Sequence, residues 1–177
     1  MKDNFNMFFE EILDVEGGYV NDPDDSGGHT NMGITFRTYA EYFANIHGVK
    51  STVEDLKNMP LSEAKAIYKK LYWDRVRADD LPSGIDILVA DMAVNSGVTA
   101  ASKMLQKVVG AKVDGVIGPK TIGKVDIHTP EGLLHYVFIA RRQEYHTISF
   151  YRNNEKFYKG WINRLNSVYD LAHSLIY

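Results

Sequence analysis

The segment GIDILVADMAVN, residues 84–95, is apolar on nearly every face that a helix would present. Such a helix has no side suited to solvent, so it must lie in the middle of a domain with other elements packed around it. Apolar residues at helical spacing predict those elements over 4–16, 36–47, 62–76, 99–109 and two long segments after Pro130 that break near Asn153. We therefore predict an all-α, mainly helical fold.

The bulk properties fit a single domain of 177 residues, and no stretch approaches the roughly 18 consecutive apolar residues of a membrane span. Cysteine is absent, which excludes disulfides and thiol catalysis. The N-terminus lacks a secretory signal pattern, so we expect synthesis in the cytoplasm and another route to any extracytoplasmic target.

Charge does not favour nucleic acid as a partner, because the net charge is −3 and neither half of the chain is strongly basic. The second half carries a series of lysines, namely Lys103, Lys107, Lys112, Lys120 and Lys124. These side chains either form a basic face for an anionic polymer or are simply solvated.

Residues 16–35, EGGYVNDPDDSGGHTNMGIT, contain five glycines, four acidic residues and little that is apolar. Such a loop cannot bury much apolar surface, so backbone geometry and polar chemistry explain its composition better than core packing does. We predict a small β-hairpin here, in which residues 19–20 and 34–35 flank a turn-rich centre.

Glu16 falls on the apolar stripe of the first predicted helix, at its last turn. Loss of water and the partial negative charge of a helix C-terminus both disfavour ionisation, so we expect a raised pKa for this carboxyl. A carboxylic acid that is protonated near neutral pH can protonate a leaving glycosidic oxygen. The alternative is a side chain that extends from a frayed helix end into water.

Glycoside cleavage needs a second polar group, which positions water or stabilises the positive charge that develops on the sugar. Asp22, Asp25 and Thr30 follow Glu16 in the loop and are candidates for this role. Facing a helix-end glutamate across a cleft, such a group would complete the chemistry.

A calcium loop is a competing interpretation, because four residues from Asp22 to Gly27 match the first positions of an EF-hand. The match fails at position twelve, which is Gly33 instead of a bidentate glutamate. His29 has no second histidine or cysteine at zinc-ligand spacing, so we expect it to form a hydrogen bond. We predict no metal site.

The polar loop resembles the opening motif of the glycoside hydrolase family 108 N-acetylmuramidases, a lysozyme-like group from phages, prophages and bacteria. The matching residues are Glu16-Gly17-Gly18-Tyr19, Asp22-Pro23, Gly27-Gly28, Thr30 and Gly33-Ile34-Thr35. The segments LYWDRV at 71–76 and DMAVNSG at 91–97, with Phe157, Gly160, Trp161 and Arg164, also look like those of the family. The segment LQKVVGAKVDGVIGPKTIGKV resembles a peptidoglycan-binding-type region that the family carries behind its catalytic half.

This resemblance implies a lysozyme-like catalytic half over 1–98 and a peptidoglycan-binding-type segment over 99–177, packed on it as one compact unit. It implies cleavage, without a cofactor, of the β-1,4 bond between N-acetylmuramic acid and N-acetylglucosamine, with Glu16 as the catalytic glutamate. The more distant phage-type lysozymes have an aspartate at the position of Asp25, but their threonine would fall one residue after Thr30. Asp25 and Thr30 are thus the predicted partners, Asp22 is the alternative, and the family suggests inversion.

Substrate contacts are predicted from aromatic rings, which pack well on sugar faces. Tyr19, Tyr72 and Trp73 are our choices, together with the polar Asp22. Core packing is the alternative for Trp73, and we expect Trp161 to be structural. Asn95 ends the central helix and either forms core hydrogen bonds or contacts a sugar N-acetyl group or the catalytic water.

Two other functions remain open from the sequence. A lytic transglycosylase would use one glutamate on a similar fold and leave an anhydro sugar. A noncatalytic cell-wall binding module would be supported by VDGVIGPKT. In each case we expect a monomer that acts on peptidoglycan in the periplasm or outside the cell. For an endolysin, a holin would be one route of delivery.

Overall fold

The computed structural model describes residues 4–21, 28–152 and 155–176, without the side chains of residues 15, 16, 152, 155 and 156. In chain order the elements are α1 (Asn4–Glu16), β1 (Val20–Asn21), β2 (His29–Asn31), β3 (Ile34–Thr35), α2 (Phe36–His47), α3 (Val53–Lys57), α4 (Leu61–Tyr68), a π-helical segment (Lys69–Trp73), a 3-10 turn (Ala78–Asp80), α5 (Ile85–Ser96), α6 (Val98–Val108), α7 (Pro119–Val125), α8 (Pro130–Arg152) and α9 (Glu155–Ser174). The prediction of a mainly α fold with a small sheet after the first helix is confirmed. Asn153 lies outside the described residues.

The chain divides into two compact units. The smaller is Phe9–Leu71, and the larger combines Met1–Phe8 with Tyr72–Tyr177. Helix α1 therefore begins in the larger unit and ends in the smaller one. The boundary that we expected at residues 98 and 99 falls inside the larger unit, where a single residue separates α5 from α6.

The sheet of the smaller unit is antiparallel, with strand order β1-β2-β3. Met32 and Gly33 join β2 to β3 and both have positive φ, at 48° and 73°, as a two-residue type I′ hairpin requires. We predicted a hairpin in which residues 19–20 and 34–35 flank a turn-rich centre, but in the sheet β2 lies between these two segments. The tight turn at Met32 pairs β3 with β2 and leaves β1 on the far edge.

Side-chain hydrogen bonds of Asn31 and Tyr68 fix this hairpin to the helices of the smaller unit. The buried Asn31 side chain donates to the carbonyl of Leu56 at 2.8 Å. The Tyr68 hydroxyl donates to the carbonyl of Met32 at 2.9 Å, at the tip of the turn. Both acceptors are backbone carbonyl groups, so these bonds tie β2 and the turn after it to the main chain and to α4 and hold β2 in place.

Helix α5 is the centre of the larger unit, and α6, α8 and α9 pack around it. Its residues from Ile85 to Ala93 are all buried, which confirms the prediction from its apolar sequence. Gly84 precedes the helix with a φ of 84°, and a Cβ there would lie 2.5 Å from the carbonyl oxygen of Ala172 on α9. Glycine is therefore required at this close approach.

A buried ion cluster joins α5, α8 and α9. The Asp91 carboxylate accepts hydrogen bonds from Arg141 at 2.8 Å and from Arg164 at 3.0 Å. Arg141 also donates to the Leu88 carbonyl at 3.1 Å and to the Tyr145 hydroxyl at 2.7 Å. Burial by itself lowers the pKa of the Arg141 guanidinium, but Asp91 and Tyr145 raise it above its ordinary value, so the group is charged.

Every helix in the described ranges is either too short or too polar to cross a bilayer.

We expect Arg141→Met to destabilise the protein by about 3–5 kcal/mol, because it leaves part of the charge on Asp91 buried without its partner. Arg142→Met is the matched control, since Arg142 is the next residue of α8 and is exposed. The measurement is the free energy of unfolding from urea titration. Equal losses in the two variants would contradict the structural role of the cluster.

Tyr39 gives a prediction about alkaline stability. Its side chain is buried on α2 and donates to Glu63 at 3.4 Å. Burial, and then the negative charges of Glu63 and Asp55, raise the pKa of Tyr39 to about 12. The pKa of an unfolded tyrosine is about 10. The stability that the protein gains from a neutral Tyr39 is therefore fully present below that pH and is lost as the pH rises toward 12.

Urea titrations across this pH window should show a smaller alkaline loss of stability in Tyr39→Phe than in the wild type. Tyr136→Phe is the control, because Tyr136 is exposed. Parallel curves for the wild type and Tyr39→Phe would show that Tyr39 does not titrate as described.

Candidate active site

Glu16 is the last residue of α1, as the sequence predicts. Its side chain lies outside the described part of the chain. The next residue, Gly17, has a φ of 69°, and its N–H donates to the Leu13 carbonyl at 3.2 Å. This left-handed turn ends the helix and directs the chain into β1.

The candidates for the second catalytic role differ in how much can be said of them. Asp22 and Asp25 lie outside the described residues. Thr30 lies in β2, opposite Val20 of β1 on one side and Thr35 of β3 on the other. Thr30 is half-buried, and its hydroxyl donates to the Gly28 carbonyl at 3.5 Å, a distance at which the bond is weak.

Tyr19 forms a small polar cluster with two residues that the sequence did not link to it. Its hydroxyl is 2.6 Å from His29 Nδ1, and the two rings are stacked with centroids 6.1 Å apart. The ammonium group of Lys57 lies 5.3 Å from the centre of the Tyr19 ring. His29 thus has the hydrogen bond that we expected, whereas nothing in the local sequence indicates Lys57, which comes from α3.

Trp73 is buried, with 1% of its surface exposed. Its ring lies 5.4 Å from the rings of Phe5 and Phe8, and its indole N–H donates to Asp79 at 2.7 Å. These surroundings fit the core-packing alternative rather than a sugar-stacking role. At Lys69 the helix that we predicted over 62–76 changes to π geometry. A π-helical turn contains more residues than an α-helical turn, so α-helical spacing no longer indicates which of the following side chains face the core. Tyr72 is half-buried.

Asn95 is exposed at the last turn of α5, and its amide donates to the Tyr145 hydroxyl at 2.5 Å. Arg141 donates to the same hydroxyl, so the buried ion cluster fixes the Tyr145 ring to which Asn95 is hydrogen-bonded. Asn95, Tyr145, Glu144 and Trp161 line a cavity of about 420 Å³. The Trp161 ring therefore borders open space, in addition to contacting Tyr145 with centroids 5.6 Å apart.

The loop between α6 and α7 contains VDGVIGPKT and depends on the buried Gln106. The side-chain amide of Gln106 donates to Asp114 at 2.8 Å and to the Val116 carbonyl at 3.0 Å, and its oxygen accepts from the Gly115 N–H at 2.8 Å. The bond from Gln106, followed by the bond from Val116, holds the pKa of the Asp114 carboxyl below its ordinary range. One α6 side chain thus sets the loop conformation.

The described residues contain no group of three histidine, cysteine, aspartate or glutamate side chains placed to hold a metal ion. The residues that matched the first EF-hand positions, 22–27, lie outside this description.

Comparisons with known proteins match both parts of the chain. The family model for glycosyl hydrolase 108 matches residues 9–97, and the model for a predicted peptidoglycan domain matches residues 100–166. The solved structure of Brucella abortus SagA is similar over 99% of this chain and 97% of that one, with 36% sequence identity and a TM-score of 0.85. A comparison with curated protein sequences found no match.

If Trp73 is a core residue, Trp73→Phe should lower the free energy of unfolding by about 2–4 kcal/mol, because it loses buried volume and the hydrogen bond from the indole N–H to Asp79. Trp161→Phe is the control and should cost less, since Trp161 is only half-buried. Urea titration measures both. Unchanged stability of Trp73→Phe, with weaker binding of glycan, would favour the sugar-stacking role instead.

Proposed function

We propose that this chain, which belongs to the glycosyl hydrolase 108 family, is an N-acetylmuramidase that uses Glu16 as its general acid. The family and the peptidoglycan domain make the protein a glycoside hydrolase that acts on peptidoglycan. The proposed bond is the β-1,4 linkage between N-acetylmuramic acid and N-acetylglucosamine. Neither the bond nor the acid follows from the family alone.

The observation that carries the proposal is the position of Glu16 at the C-terminal end of α1, directly before the left-handed Gly17. Helix C-termini carry partial negative charge, which favours the protonated form of a carboxyl group. A protonated carboxyl can give its proton to the leaving glycosidic oxygen. The resemblance of residues 16–35 to the family motif supports the same residue.

Asp25 and Thr30 are proposed to position water or stabilise the developing positive charge on the sugar, with Asp22 as the alternative. The pairing of β1 with β2 supports Thr30, because it brings Thr30 opposite Val20, four residues after Glu16. Paired residues of antiparallel strands have Cα atoms about 5 Å apart. Thr30 is thus on the strand next to the one that leaves the catalytic helix.

Substrate contacts are proposed for Tyr19, Tyr72 and Asn95, with Asp22 as a polar contact. Tyr19 is 37% exposed and is held by His29 and Lys57, so its ring is available at the surface and already oriented. Oriented aromatic rings bind sugars at a low entropic cost. The burial of Trp73 removes it from this set.

A lytic transglycosylase is the second candidate, since it also needs one glutamate at a helix end. The additional polar residues after Glu16 favour a hydrolase, because water must be positioned to complete hydrolysis. The noncatalytic module is excluded by membership in a hydrolase family. We propose action on the cell wall in the periplasm or outside the cell, as an endolysin of phage or prophage type, with a holin as one route of delivery.

Glu16→Gln should reduce the release of soluble muropeptides from peptidoglycan by at least about 10²-fold, because a glutamine cannot donate the catalytic proton. Glu10→Gln is the matched control, an exposed glutamate of the same helix. Mass spectrometry identifies the products. Hydrated products with reducing muramic acid ends, lost in Glu16→Gln alone, are expected.

Other outcomes would change the assignment. Anhydro ends would indicate a lytic transglycosylase. Undiminished release by Glu16→Gln would show that another residue is the acid. Reducing ends on glucosamine would mean that the enzyme cuts the other glycosidic bond.

A further inference from the structure

A groove runs between α6 and α8 in the larger unit, away from Glu16 in the chain. A cavity of about 570 Å³ lies between these helices and is lined by Lys103, Lys107 and Glu144, among others. It shares Ala100, Glu144 and Ile148 with the cavity at Asn95. A third cavity of about 260 Å³ at Tyr136 shares Val108, Ala140 and Gln143 with the first. The three cavities therefore form one groove.

The length of this groove suits a short extended chain. Its α8 wall extends from Tyr136 to Ile148, and a helix rises 1.5 Å per residue, so the groove is about 18 Å long. An extended peptide rises about 3.3 Å per residue, so the groove holds a peptide of about five residues. The peptide stems of peptidoglycan have this size.

The charges along the groove have no ion-pair partners among the described residues. Lys103 and Lys107 are four residues apart and so lie on one face of α6. Glu144 lies on the opposite wall and is half-buried. Within the described part of the chain, none of the three has an ion-pair partner. The groove therefore offers two positive charges and one negative charge to a ligand.

We propose that this groove binds the peptide stem of peptidoglycan, with Lys103 and Lys107 contacting its carboxylates and Glu144 contacting the side-chain amine of its diamino acid. A stem peptide carries both carboxylates and an amine, whereas a glycan strand stripped of its peptides carries only the lactyl carboxylates of its muramic acid residues and no amine. The apolar lining from Met104, Val108 and Ile148 suits the methyl groups of alanine residues. This inference rests on the proposed function, since it concerns the same polymer.

The loop that contains VDGVIGPKT helps to orient Lys103. Gly115, which Gln106 holds by its N–H, has a φ of 84°, and a Cβ there would lie 3.3 Å from Cε of Lys103. The aliphatic part of Lys103 therefore crosses the loop at its glycine. This contact orients the ammonium group before a ligand arrives, which reduces the entropy lost on binding.

The first experiment measures binding of a synthetic stem tetrapeptide with a free diamino-acid amine by calorimetry. All variants are made in the Glu16→Gln background, so that turnover does not interfere. The double variant Lys103→Ala/Lys107→Ala should weaken binding at least about tenfold. The matched control is Lys120→Ala/Lys124→Ala, two exposed lysines with the same spacing on α7, which should bind as the parent does. Equal affinity of both double variants would overturn the proposal.

Glu144→Gln tests the contact with the amine. The parent should prefer the free tetrapeptide to one whose side-chain amine is acetylated, and Glu144→Gln should bind both alike. No preference in the parent would overturn the role of Glu144. Retained affinity in the groove variants for peptide-free glycan strands, together with loss for the tetrapeptide, would support the stem as ligand. Lysine-dependent binding of peptide-free strands would overturn it.

Activity assays separate this inference from the proposed function. With Glu16 intact, the lysine double variant should lose rate on peptide-bearing peptidoglycan and retain its rate on peptide-free strands. Loss on both substrates would contradict a stem-specific groove. Full activity of Glu16→Gln would refute the catalytic assignment without changing the calorimetric result, so the two failures are distinguishable.

Discussion

The Asp91 carboxylate is buried in the larger unit, where an ion without a partner costs several kcal/mol. Arg141 from α8 and Arg164 from α9 both bind it, so the middle parts of two long helices have to meet α5 at this point. Apolar packing alone tolerates rotation of such helices, whereas two directed bonds to one carboxylate fix their register. The ion cluster thus decides which residues of α8 face α6.

The surface chemistry of the larger unit follows from that register. Tyr145 is held by Arg141 and in turn holds Asn95, so the exposed amide at the end of α5 is fixed by a buried charge. The preceding residue on α8, Glu144, then faces the groove beside α6. In the smaller unit, a type I′ turn has the equivalent role, because it sets the strand register that positions Thr30.

Much of the fold could be predicted from the sequence, because helical periodicity and glycine at helix ends are local signals. The bounds of α1 and α2 and the burial of α5 agree with those signals. The site was harder to predict. Trp73 is buried at the end of a π-helical segment, and the sequence of this segment has the same apolar stripe as an ordinary helix. Lys57 joins Tyr19 through a separate helix, which spacing along the chain does not indicate.

The sequence by itself determined the helical class, the glycine-rich turn after Glu16 and the residue types needed for glycoside chemistry. These depend on the local backbone, on patterns of burial along one element, and on the side chains themselves. Tertiary structure decided which polar residues meet: Asp91 with two arginines, Tyr19 with His29, and the lysines of α6 with Glu144 across a groove. Such contacts join residues that are distant in the chain, and they depend on how helices pack and rotate against one another, which no single segment encodes.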